Sequence, residues 1–338
     1  PLGAVIRERV TNPSGRRDPV RCAVVGIGRW GAHYLKVLAE TPGAELASLC
    51  DTSERARAVA LAALPTATAF ARLCDLDPAG LDAVVIATPT ESHAELACEA
   101  FSKGFHVLVE KPLAITAADA LRVVSAARRA GRVIATGYQM VHHPGHRALV
   151  DAAMALGPVE HVRTTRSSLS RERQDPLLHA LAPHDLATFA LISRKQNGEV
   201  APQCEGISGD GASELTAHLR SVGANEFTAE LNWSRGQPLR RTEIFCANGS
   251  LSFDEANGEV TENGLNPRTF TGAPLNLQCM EFIQTIANLR RGPVLPGALE
   301  NVGLVTSADA IVVSRLIEQL GALSRALTSV PTRAVLSL

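Results

Sequence analysis

The chain has 338 residues, 46% of them apolar, with 33 basic and 34 acidic side chains and a formal net charge of −1. That length exceeds one ordinary hydrophobic core and implies two domains, while the balanced charge excludes electrostatic capture of nucleic acid or of an anionic membrane surface. No run of about 18 apolar residues is present to span a bilayer, so neither a membrane nor a nucleic acid is an expected partner.

The first twenty residues, PLGAVIRERVTNPSGRRDPV, lack the apolar core of a secretion signal and are expected to form a mobile tail. From there five short apolar runs follow, CAVVGI (22–27), ELASLC (45–50), DAVVIAT (82–88), HVLVE (106–110) and RVIATG (132–137). Each is nearly continuous in apolar character, as strands buried on both faces are. Helical patterns near 30–40, 53–63, 91–103 and 116–130 separate them. This alternation predicts a doubly wound parallel sheet over residues 21–140, a Rossmann dinucleotide-binding domain.

The first strand runs into GIGRWG, residues Gly26, Ile27, Gly28, Arg29, Trp30 and Gly31, and the second ends at Asp51. A G-x-G-x-x-G between strand and helix, with an acid one strand later, is the dinucleotide fingerprint. Gly26 permits the tight turn, Gly28 lets pyrophosphate approach the backbone, and Gly31 lets the helix pack closely on the strand. Asp51 would accept hydrogen bonds from the adenosine ribose and repel a 2′-phosphate, which favours NAD over NADP. Thr88-Pro89, with His93 after them, and Glu110-Lys111-Pro112 lie at the carboxyl ends of later strands, where open α/β sheets bind ligands. Each also reads as a plain strand terminator or surface turn.

After residue 140 the pattern changes to period two, in VEHVRTTRSS, SELTAHLRS, EFTAELNWS and TEIFCANGSLSFD. Asn248-Gly249, Asn257-Gly258 and Asn263-Gly264 are hairpin signals, because a type I′ turn needs positive φ at both central residues. Residues 276–291 and 302–327 read as helices. The expected fold class is therefore α/β: a Rossmann domain, then over 141–338 an α+β domain with a large open, mostly antiparallel sheet. The seven cysteines (22, 50, 74, 98, 204, 246 and 279) are scattered without a C-x-x-C pair. They read as buried free thiols of a cytoplasmic protein, not as a disulfide framework or zinc site. His142-His143-x-x-His146 lacks an obvious carboxylate partner and carries Pro144, so no metal is expected.

Near the middle of the second half stands LHALAPHDLATF (178–189). Proline is tolerated at the first position of a helix, which puts His184 and Asp185 in a first turn. There the helix dipole favours a neutral imidazole, a base. From the residues alone a capping or packing histidine is the plainer reading of His184.

GIGRWG, Asp51, IATPTESH (86–93) and VEKPL (109–113), in this order and spacing, resemble the Gfo/Idh/MocA oxidoreductases. The resemblance extends through TGYQMVHHP (136–144), GPVEHVRTTR (157–166), APHDL (182–186) and PLNLQCMEFIQTI (274–286). It implies NAD(P)-dependent interconversion of an alcohol and a ketone on a sugar, nucleotide sugar or cyclitol, in a homodimer or homotetramer built through the C-terminal sheet. By this resemblance Glu110 lies beside the nicotinamide ribose, Lys111 contacts ribose and substrate and relays the proton, the Lys111–Pro112 peptide is often cis, and His184 contacts the reacting oxygen. Gln139 at the domain crossover, with Arg166, Arg171 and Asp185, are candidate substrate groups, although solvated surface charge is the plainer reading of the arginines. One departure stands out: the position four before His184, commonly an acid in the family, is Ala180. That shortens the proton relay. It leaves open two alternatives, a weakened NAD-binding regulatory relative and an imine reductase.

Overall fold

The computed structural model describes residues 18–168, 177–199, 202–210, 213–290, 299–300 and 302–329. Strands β1 (Val20–Val25), β2 (Ala44–Cys50), β3 (Thr68–Phe70), β4 (Ala83–Ile86), β5 (His106–Val109) and β6 (Ile134–Thr136) form one sheet in the order β3-β2-β1-β4-β5-β6. All its pairings are parallel. Helices α1 (Arg29–Glu40), α2 (Glu54–Ala63), α3 (His93–Ser102) and α4 (Ala117–Ala130) connect them. Five strands were expected; β3 is the addition, three residues long and too short for a periodic signal. Local chemistry sets the helix ends. Ser53 Oγ accepts from the Ala56 N–H, Thr116 Oγ1 accepts from the Asp119 N–H, and Gly131 closes α4 at φ 61°. The strand order reverses between β1 and β4, which opens a crevice at their carboxyl ends.

The second sheet contains β7 (Val159–Ser168), β8 (Gln203–Gly209), β9 (Glu214–Ser221), β10 (Phe227–Arg235), β11 (Leu239–Cys246), β12 (Gly249–Asp254), β13 (Glu259–Glu262) and β14 (Leu265–Thr269). Its order is β14-β13-β12-β11-β7-β10-β9-β8, antiparallel except where β7 meets β10. Alternate residues such as Phe227, Ala229, Leu231 and Trp233 are buried, and α5 (Pro144–Ala155), α7 (Ala182–Asn197) and α9 (Ser307–Ser329) pack against the sheet. Asn263 and Gly264, at φ 52° and 71°, make the type I′ turn of β13–β14. Gly258 (φ 66°) sits in the β12–β13 connection. The third signal is displaced by one residue: Gly249 already pairs with Cys246, so the turn itself is Ala247-Asn248.

Helix α8 (Pro274–Leu289) does not join the second sheet. Its Cys279, Phe282, Ile283 and Ile286 complete the core formed by Cys22, Val24 and Leu108 of the first sheet and Leu38 of α1. Cys22, Cys50, Cys246 and Cys279 are buried free thiols, whereas Cys74 is exposed, a departure from the expected burial. Among the described residues no helix is long and apolar enough to cross a membrane.

Two buried histidines give a pH prediction. Burial holds His106 and His146 at about 3, against about 6.5 in an unfolded chain. Below pH 6.5 the unfolded chain therefore binds protons that the folded one does not, so stability falls with pH and the loss levels off only near 3. Each contributes about 1.4 kcal/mol per pH unit in that window. Urea unfolding between pH 7 and 5 will show the decline, and a flat profile would refute it.

Candidate active site

The turn between β1 and α1 needs its glycines for distinct reasons. Gly26 has φ +87°, and a Cβ there would stand 2.7 Å from Thr88 Cγ2. At Gly31 a Cβ would come within 1.8 Å of the Gly26 carbonyl oxygen. Gly28 is open, with nothing within 4 Å of a Cβ position, and α1 begins there without a side-chain cap. Uncapped N–H groups beside open space are what a pyrophosphate requires. Asp51 follows β2, where its carboxylate accepts from the Ile27 N–H at 2.6 Å and the Ser53 N–H at 2.8 Å. A cleft of about 510 Å³ lies between these strand ends, lined by Gly26, Gly28, Asp51, Arg72, Thr88 and Pro89 among others. These groups fit a dinucleotide. Ile27, Arg29 and Trp30 belong to the turn and the first helical residues, and none of them lines this cleft.

His93 is placed behind the cleft. Its ring is buried, with Nδ1 2.8 Å from the Pro112 carbonyl and Nε2 2.9 Å from the Thr88 carbonyl. Burial lowers its pKa, and a neutral ring has one N–H to give. It braces the loop after β4 against the loop after β5, a framework position in place of the expected cofactor contact.

Glu110 and Lys111 follow β5, and the Lys111–Pro112 peptide is cis. Glu110 is buried; its Oε1 accepts from Tyr34 Oη at 2.7 Å and its Oε2 from the Lys111 N–H at 3.0 Å. Burial raises its pKa against the opposing charge of Lys111. The Lys111 ammonium leaves this sheet altogether and donates to the carbonyls of Ala180 (3.1 Å) and His179 (3.4 Å), in the short helix α6 (Leu177–Ala180).

His184 is the third residue of α7, after Pro183. Its pKa is held well below the ordinary histidine value, first by burial and then by the positive charges of Lys111, Arg166 and Arg240. The ring is therefore neutral. Its Nδ1 is sealed from solvent with no hydrogen-bond partner among the described residues. Ala180, which offers only a methyl, ends the helix one turn earlier.

The candidate substrate groups separate. Arg166 of β7 and Asp185 of α7 are both buried and pair with each other at 2.9 Å. Arg166 also meets Glu255 at 2.5 Å, and Trp233 Nε1 donates to Asp185 at 2.8 Å. They form a buried ion cluster that ties α7 to the sheet, unlike either expected role, substrate grip or solvated charge. Gln139 is half-buried in the turn after β6. Arg171 lies outside the described residues. His142 meets Glu281 at 3.0 Å, His143 accepts from the Gly145 N–H, and His146 faces Thr188 Oγ1 at 2.9 Å. No group of side chains that could hold a metal occurs among the described residues.

Sequence reasoning missed Tyr34, Gln278 and Arg240. Arg240 pairs in register with Arg166 on the neighbouring strand, so the two side chains share a face. Period-two spacing from the inward-facing Thr242 would have found it.

The family model for the oxidoreductase family with an NAD-binding Rossmann fold, GFO_IDH_MocA, matches residues 20–138. The 4-carboxy-2-hydroxymuconate-6-semialdehyde dehydrogenase of Sphingobium is 32% identical over 292 residues, covering 79% of this chain and 90% of that enzyme. The chain belongs to the Gfo/Idh/MocA oxidoreductases. Inositol 2-dehydrogenase 1 of Saccharopolyspora erythraea is 40% identical over 141 residues, so the Gfo/Idh/MocA match there spans 40% of this chain and only 41% of that enzyme. In fold, UDP-N-acetylglucosamine 3-dehydrogenase GnnA of Acidithiobacillus ferrooxidans superposes with a TM-score of 0.77 at 24% identity, over 92% of this chain and 99% of its own.

Proposed function

We propose that the chain is an NAD-dependent oxidoreductase that interconverts an alcohol and a ketone on a sugar, nucleotide sugar or cyclitol. In this reading residues 21–140 bind the nucleotide, and residues 141–338 bind substrate and build a homodimer or homotetramer through the second sheet. The observation that carries it is the reach of Lys111 from the nucleotide-binding sheet to the Ala180 carbonyl, one turn before His184. Support for the substrate class comes from the names of the inositol and UDP-N-acetylglucosamine dehydrogenases.

Bound NAD would accept or supply the hydride. The chain's own residues handle the proton. Lys111 hydrogen-bonds the reacting oxygen, stabilises negative charge as it develops there, and as an ammonium donates the proton in the reducing direction. His184, neutral and half-buried, accepts a proton in the oxidising direction. Among the described residues its Nδ1 has no partner, and so no carboxylate to stabilise the resulting imidazolium, which in this reading favours reduction. The same feature favours the second reading, a relative that binds NAD without appreciable turnover. An imine reductase would draw on the same reducing bias.

A panel of polyols, sugars, nucleotide sugars and their keto and imine counterparts, followed by the absorbance of reduced nicotinamide, separates these readings. Turnover of an alcohol–ketone pair with NAD preferred over NADP is expected. Tight NAD binding with no turnover selects the second reading, and preference for NADP overturns the role given to Asp51.

A further inference from the structure

Tyr34 lies in α1, three residues past Gly31, and is fully buried. Its hydroxyl donates to Glu110 Oε1 at 2.7 Å and stands 3.5 Å from Gln278 Oε1 of α8, whose amide Nε2 donates to the Thr136 carbonyl. Below the carboxylate is Gly137, where a Cβ would come within 3.1 Å of Glu110 Cα and Oε1. The carboxylate is thus wedged between a glycine and a tyrosine, while its other oxygen accepts the N–H of Lys111. We infer that Tyr34 is a positioning residue of the reaction: from α1 it fixes the Glu110 carboxylate, and through it the turn that aims Lys111 at the substrate. The inference rests on the catalytic reading of Lys111 proposed above.

The groups facing Glu110 are Tyr34 from α1, Lys111 from its own turn, Tyr138 from the segment after β6, and Cys279 from α8. Of these Lys111 alone is a cation. Removing the phenol hydrogen bond destabilises the carboxylate, so the Glu110 carboxyl titrates at higher pH. Once protonated, it no longer presents a negative charge to Lys111.

Tyr34→Phe tests this in three readouts. The kcat is expected to fall about tenfold or more while NAD affinity, measured by calorimetry, changes little. The acid limb of the kcat profile moves up by roughly one pH unit, and the ¹³C titration of the Glu110 side-chain carboxyl moves with it. In a Glu110→Gln background, adding Tyr34→Phe produces no further shift of that limb. An unchanged carboxyl titration, an unmoved acid limb, or a shift that persists with Glu110→Gln overturns the inference. The carboxyl titration needs no turnover, so its result is separate from that of the catalytic reading, which a fully active Lys111→Ala enzyme would overturn.

Discussion

Lys111→Ala lowers kcat/KM by about two to four orders of magnitude, the usual contribution of a positioned proton donor. The loss is expected to be large because no other lysine can take its place. The chain has four. Lys36 is exposed on α1, Lys103 donates to the Cys74 carbonyl, and Lys195 faces Asp151. Only Lys111 crosses from the nucleotide-binding sheet to the helix that precedes His184. Single-turnover absorbance of reduced nicotinamide gives the rate, with calorimetry reporting NAD binding separately. Retained turnover would remove Lys111 from the proton path.

Asp185→Ala carries the largest expected effect on stability. It leaves Arg166 buried with Glu255 as its remaining anion and strips the Trp233 indole of its acceptor. Breaking one side of a buried ion pair typically costs about 3–5 kcal/mol. In a chain of this size that lowers Tm by roughly 4–7 °C. Because Asp185 follows His184 in the same helical turn, the variant should also lose activity by displacing the imidazole. Urea unfolding measures the first effect, and a loss below about 1 kcal/mol would show that the cluster is not load-sharing in the way its geometry indicates. Replacing Arg166, Asp185 and Glu255 together by apolar residues of similar volume should cost far less than the single change, since no orphaned charge remains.

How far the sequence reveals this molecule depends on the range of each interaction. The parallel strands are legible because each is an unbroken apolar run followed by a helix, and Asn263-Gly264 because its turn needs positive φ within two adjacent residues. Lys111 and His184 stand in separate motifs, 73 positions apart, and spacing alone would not have joined them. Tyr34 and Glu110 are separated by 76 residues and Tyr34 and Gln278 by 244, and neither interval leaves a local trace. The burial of Arg166 was within reach. Val162, Thr164 and Arg166 alternate toward the covered face of β7, so a period-two reading sends the guanidinium inward, where it must be paired. His93 shows the opposite limit: its place beside the ligand edge was legible, but not the inward turn of its ring.

Helix α8 has a consequence for how the chain is made. Cys279, Phe282, Ile283 and Ile286 close the apolar layer over β1 and β5, yet they are translated about 150 residues after β6. At 5–20 residues per second the emerging nucleotide-binding half waits roughly 8–30 s for that cover. During synthesis it presents an uncapped apolar flank to the ribosome's surroundings, so chaperone capture is expected in that interval and should cease once α8 has emerged.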